Sequence, residues 1–264
     1  MRVLLITRGH PFQREPFFAM FDDIAAAMKA DAGVTMEWFH AEQPAARAVF
    51  EPEYAKDFDA FVFYDMPGIR FGPGGPDFEV PTQRLKDNLA ALTQSGKGLV
   101  FLHHAIAGWP AWPEYAELMG GRFLYLPAEL RGRQRPDSGY RHAVTHRVRK
   151  VAEHPVTAGV PDSFEITDEL YLFEVFDDAI TPLLASDHGF VRDNFYSAAR
   201  VVRDGKMYDN EGWAHEPGSN LVGWTRQQDA SQVVYLQCGD DAVAYGNAHF
   251  RRLVGNAIRF VSGG

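Results

Sequence analysis

The chain has 264 residues, of which 46% are hydrophobic and 23% charged, with 24 Gly and 16 Pro. These proportions exclude collagen, coiled coil and bulk disorder, and the length fits one large domain that buries its core without staples. A formal net charge of −9 argues against a nucleic-acid partner, and a single cysteine, Cys238, excludes a disulfide framework or a multi-cysteine zinc site.

No apolar stretch reaches the roughly 18 residues needed to span a bilayer. The first apolar run, residues 3–6, is too short for a signal-peptide core. The expectation is a cytoplasmic protein with no membrane partner.

Short β-rich runs alternate with helical patterns, which predicts an α/β fold with a mainly parallel sheet. Residues 3–7 read as a first buried strand. Phe17, Phe21, Ile24 and Met28 recur at helical spacing, so residues 16–30 form an amphipathic helix. Residues 34–39 and 60–64 are the next strands, the latter closed by Asp65-Met66-Pro67-Gly68. The Gly- and Pro-rich stretch 70–81 reads as a loop. A helix follows over 82–95, then a fourth strand over 98–102 that runs into His103-His104, then a helix over 112–120. The middle is less regular. Residues 122–126 and 140–151 alternate like edge strands, and 154–166 is a Pro-punctuated connection. Strand patterns return at 181–186, 198–202, 221–225 and 232–237. Phe250, Leu253, Val254, Ala257, Ile258 and Val261 make one apolar stripe, so 247–261 is a helix packed on the sheet. No internal repeat or long linker divides the chain, and residues 1–264 read as one domain.

Ligands of an open parallel sheet bind beyond the carboxyl ends of its strands. The first strand leads there to His10 and Glu15, the third to Asp65 and Met66, the fourth to His103, His104 and Trp109, and the last to Cys238, Asp240 and Asp241. Successive strand side chains point to opposite faces, so the histidine pair can share a site only if a sharp strand-to-helix turn intervenes. His142 and His146 sit on a strand pattern. At that spacing they are about 13 Å apart, too far to share one metal, and they read as structural or surface groups. No H-E-x-x-H, G-x-S-x-G or G-x-G-x-x-G motif is present. Cys238 reads as a small buried hydrophobe rather than a nucleophile. Residues 131–150 carry seven Arg or Lys and one acid. They read first as a solvated basic hairpin, and second as a contact with an acidic face in a homo-oligomer or with an anionic substrate. Trp109 and Trp213 stand among polar groups, as in a carbohydrate pocket or as caps on the core.

Several segments together resemble the ThuA-like, or trehalose-utilisation, family. They are GLVFLHHAIAGW from Gly98, HPVTAGVPDSFEITDELYLFE from His154, and the stretch from Gly223 to Phe260 that contains VVYLQCGDDAVAYGNAHF. Thr7-Arg8-Gly9-His10 and the turn after Tyr64 fit as well. The resemblance implies a flavodoxin-like fold related to class I glutamine amidotransferases, with helices on both sheet faces. It also implies a role in disaccharide metabolism, with keto-sugars as intermediates. Two departures stand out. Leu102-His103-His104 replaces the elbow cysteine of the amidotransferases, so a thiolate glutaminase is excluded. Gly239-Asp240-Asp241 replaces the G-H-D run of many family members. Residues 187–219 form an irregular insertion that brings Trp213 and His215 and bears on substrate choice.

The resulting expectation is an enzyme acting on a disaccharide or keto-sugar by acid/base isomerisation, elimination or hydrolysis. His104 and Glu169 are the acid/base candidates, with His10 and His103 as polarising groups or ligands. His10, Glu15, Asp65, Met66, Trp109, Tyr171, Trp213, His215 and Asp240 are the candidates for binding substrate. Glu169 and Tyr171 enter through the D-E-L-Y run that the resemblance places near the site. Histidine and carboxylate donors suit zinc or manganese, although no local spacing demands a metal. The alternative is a non-catalytic sugar-binding or interaction module on the same fold.

Overall fold

The computed structural model describes residues 1–263. Strands β1 (Arg2–Arg8), β2 (Glu37–Glu42), β3 (Ala60–Asp65) and β4 (Gly98–Leu102) come first, with helices α1 (Arg14–Ala32), α2 (Gln83–Gln94) and α3 (Pro113–Met119) among and after them. Then follow β5 (Gly139–Lys150), β6 (Ser163–Leu172), β7 (Thr181–Ser186), β8 (Tyr196–Ser197), α4 (Ala198–Asp204), β9 (Leu221–Gln228), β10 (Ser231–Leu236), α5 (Ala242–Gly246) and α6 (Ala248–Val261).

The main sheet has ten strands in the order β6-β5-β7-β9-β10-β4-β3-β1-β2, with β8 paired to β5. From β10 to β2 every pairing is parallel. From β10 to β6 every pairing is antiparallel. The parallel strands are continuous apolar runs because both of their faces are covered. Leu5, Val62, Tyr64, Val100 and Leu236 pack with Phe17, Phe21, Leu253 and Ile258 of α1 and α6. Leu4, Ile6, Phe61, Phe63, Phe101 and Tyr235 face the other way, onto Leu85, Leu89, Tyr115 and Met119 of α2 and α3. The two-residue period of a strand sorts these side chains into two cores.

Several elements differ from the sequence expectation. The stretch 70–81 is not all loop, because Ile69–Gly72 and Gly75–Phe78 pair as a small hairpin. Residues 198–202 are helical, not a strand: the Ser197 hydroxyl accepts from the Arg200 N–H as an N-cap, and Gly205 closes the helix at φ +65°. The strand expected over 122–126 is only Gly121–Arg122. The second strand lies three residues later than expected. The connection 154–166 already contains the start of β6, which the alternation of its first residues did not reveal. Among the described residues no helix is long and apolar enough to cross a membrane.

Candidate active site

Strand β4 delivers the histidine pair. The chain leaves Leu102 and turns at once into a short 3-10 helix, with His103 at φ +47°. A non-glycine residue rarely adopts this conformation. The turn frees the pair from strand alternation, and the two rings stand 82° apart.

His103 is fully buried. Its Nδ1 lies 2.7 Å from the carbonyl oxygen of Gln237, just past β10. A carbonyl only accepts, so Nδ1 donates. Nε2 faces the Tyr171 hydroxyl at 2.8 Å, Glu169 Oε2 at 3.2 Å and Asp240 Oδ1 at 3.4 Å. Burial alone would lower the imidazole pKa, but Asp240 and Glu169 outweigh it and raise it well above the usual range. Asp240 responds in the complementary direction. Burial pushes its carboxyl up, while the bond to His103 brings it below the ordinary value.

Glu169 and Tyr171 come from β6, an edge strand in the sheet order. These two side chains nevertheless reach the carboxyl end of the parallel half, where both contact His103. The register of β5 against β6 jumps between Arg141 and Val144, with Ala143 at φ +52°. His142 and Ala143 thus oppose the single residue Glu169, as in a β-bulge, which commonly re-aims a side chain. His142 Nδ1 stands 3.3 Å from Glu169 Oε1, with the imidazole side chain 40% exposed and the carboxylate 5% exposed. The sequence reads His142 as a structural or surface group; it is exposed, and its contact with Glu169 is not foreseen because a bulge leaves no mark in residue spacing.

Asp168, beside Glu169, builds the loop that carries Asp240. Its Oδ2 accepts from the Gly239 N–H at 2.7 Å. Its Oδ1 accepts from Asp240 at 3.0 Å and from Glu169 at 2.9 Å. Gly239 has φ +120°, and a Cβ there would meet the Phe250 ring at 2.9 Å, so only glycine passes. Burial raises the Asp168 carboxyl to about 6.

His10 and His104 form a second layer. Their ring centroids are 4.6 Å apart. His104 is fully buried, and its Nε2 lies 3.3 Å from the Tyr64 carbonyl oxygen. Burial, then His10 and His103, hold its pKa well below the usual value, so the ring is neutral. His10 is half-buried and lowered by the same causes, burial and His103. His104, expected as an acid/base group, is thus buried, neutral and in contact with backbone.

Of the other candidates, Tyr171 joins the cluster and the rest stand apart from it. Glu15 is exposed in the first turn of α1. Met66 is buried and accepts from the Tyr125 hydroxyl. Trp109 is buried under the Arg47 guanidinium, 4.8 Å from its ring. Trp213 is a core plug whose indole donates to the Asp137 carbonyl. His215 lines a cleft with Gln134, Arg135 and Glu174. His146 is buried and bonds Ser186. Cys238 is buried, and burial with the neighbouring Asp168 pushes its thiol well above the usual range, which leaves it unreactive.

Asp65 is fully buried and accepts from Gln43 Nε2 at 2.8 Å, and burial raises it to about 7. The unfolded chain releases this proton near its ordinary value of 3.8. The native state thus loses stability as pH rises between those two values, and the full penalty stands above the native pKa. Asp65→Asn removes the charge at every pH. It is expected to stabilise the protein by up to about 4 kcal/mol at pH 8, and by less than half that at pH 5. Urea unfolding at the two pH values measures the difference.

The family described as ThuA, trehalose utilisation, matches residues 2–261. A protein from Bacteroides uniformis described as ThuA-like superposes with a TM-score of 0.64 at 15% identity, covering 98% of this chain and 90% of that one. A second, from Parabacteroides merdae, gives 0.61 at 14% identity, covering 99% and 89%. A Salmonella typhimurium protein described as cytoplasmic gives 0.57 at 10% identity, covering 99% of each chain. Identities this low establish a common α/β fold alone. No curated protein matches the chain.

Proposed function

The chain belongs to the ThuA family, and from that premise we propose that it processes a keto-sugar or keto-disaccharide by acid/base chemistry. The observation that carries the reading is His142: an exposed imidazole set on the buried carboxylate of Glu169, which in turn touches buried His103. A carboxylate that orients one ring nitrogen leaves the other free to take a proton.

The steps follow from that arrangement. The sugar carbonyl oxygen lies at the exposed side of the cluster, where the Asp240 side chain reaches solvent, with buried His103 as a positive charge behind it. His142 Nε2 removes the proton from the carbon next to the carbonyl, and the electron pair moves onto the carbonyl oxygen to give an enediolate. Returning the proton to the former carbonyl carbon, while the neighbouring hydroxyl passes its proton to the enediolate oxygen, isomerises the sugar. Alternatively, the electron pair expels the glycosidic oxygen one carbon further on, and protonated His142 supplies its proton.

The surroundings of His142 support a sugar ligand. Its ring lies 5.2 Å from Tyr140 and 6.0 Å from Tyr208, and Tyr208 lies 5.5 Å from Tyr196. Flat aromatic faces beside hydrogen-bonding groups suit a pyranose. Tyr208 comes from the 187–219 insertion and is largely exposed, so the insertion supplies part of this wall. A cytoplasmic setting and a carbohydrate rather than a nucleic acid as partner belong to the same reading.

The test is His142→Gln. Because the side chain is exposed, thermal stability is expected to change little, while deuterium uptake from solvent into a keto-disaccharide falls by about 100-fold or more. Wild-type uptake in the variant would overturn the reading.

A further inference from the structure

Resting on that reading of the site, we propose that His103, Glu169 and Asp240 hold one divalent cation of the zinc or manganese class. The donor atoms of these three residues all lie within 4.8 Å of one another. His103 Nε2 stands 3.2 Å from the nearer Glu169 oxygen and 3.4 Å from the nearer Asp240 oxygen. Two ligands on one tetrahedral zinc, each at the usual bond length, stand about 3.3 Å apart.

The hydrogen-bond geometry points the same way. The Gln237 carbonyl accepts a hydrogen bond from Nδ1 of His103, which leaves Nε2 as the ring atom aimed at the two carboxylates. Three atoms of metal-ligand type thus face one another, with the Tyr171 hydroxyl 2.8 Å from the same Nε2. A proton on Nε2 points in one direction and serves one of them well. A cation between them serves all three. A histidine whose other nitrogen donates to a backbone carbonyl is the usual outer arrangement of a metal ligand.

The remaining contacts suit that role. His142 lies against the second Glu169 oxygen, and Asp168 fixes the backbone that presents Asp240. His103 is closed to solvent, whereas the Asp240 side chain is 23% exposed. Three protein ligands with one open side describe a catalytic rather than a structural metal site. The open position would lie on the side where Asp240 reaches solvent. There the cation would polarise the sugar carbonyl, and His142 would keep its role on the proton.

The test uses full-length protein purified without a histidine tag and stripped with chelator. Titration with zinc chloride and with manganese chloride, in the absence of sugar, is expected to give one equivalent bound and a higher melting temperature. Asp240→Asn and His103→Gln are expected to weaken binding at least tenfold. Should either variant fail to fold, cobalt(II) added to the wild type reports the ligands by its visible spectrum, and histidine NMR shows whether Nε2 of His103 is the coordinated atom. No binding below millimolar metal, equal binding by both variants, or an unmoved His103 signal would overturn the proposal. Deuterium exchange by stripped and by loaded protein separates the two readings. Exchange without metal binding refutes the cation alone, and metal binding without exchange refutes the sugar chemistry alone.

Discussion

Glu169→Gln is expected to lower turnover of a keto-sugar by about 100- to 10,000-fold while leaving the fold intact. Glu169 touches His103 on one oxygen and His142 on the other, so one substitution removes the charge that serves both imidazoles. The amide keeps the shape of the side chain. The register of β6 is set by Phe164, Ile166, Leu170 and Leu172, which are all buried, so circular dichroism and melting temperature should stay near those of the wild type. A purely structural role for Glu169 predicts the reverse, with a lower melting temperature and unchanged turnover per folded molecule. The split between kcat and KM adds a second reading. Losing a group that orients the base lowers kcat more than it raises KM.

Asp168→Asn is expected to cost about 2–4 kcal/mol of stability and to reduce activity with it. Both carboxylate oxygens are acceptors, one for the Gly239 N–H and the other for those of Asp240 and Glu169. An amide offers one oxygen and one NH2. Whichever way it turns, at least one buried backbone N–H meets a donor and loses its partner. The loop holding Asp240 then comes free of β6. Urea unfolding of the variant measures the cost. Stability equal to wild type would show that this carboxylate does not build the loop.

The parallel half of the fold was legible because its strands are apolar on both faces, and their side chains divide cleanly between two cores. The carboxyl-end rule then placed His103 and Asp240 at one edge, where the structure brings them into contact. The antiparallel half was harder to read for a physical reason. In β6, Phe164 and Ile166 alternate with polar residues, but Asp168 and Glu169 are both buried charges in the strand. Two acids in succession look like an exposed turn. Their burial is offset only by long-range partners, the Gly239 loop and His103, which local sequence does not display. α4 was misread because Val201 and Val202 favour a strand, while Ser197 and Gly205 cap a helix. The contact of His142 with Glu169 was not legible, because its aim depends on a bulge between two strands. The burial of His104 was not legible either, because its adjacency to His103 says nothing of the elbow that sends it inward.

The most direct measurement is proton exchange. Wild type and Glu169→Gln would each be incubated with a keto-disaccharide in deuterium oxide, and deuterium at the carbons beside the carbonyl followed by NMR. The account predicts uptake catalysed by the wild type and almost none by the variant. Absence of uptake with the wild type, or equal uptake by both proteins, would contradict it and leave a sugar-binding module without this chemistry.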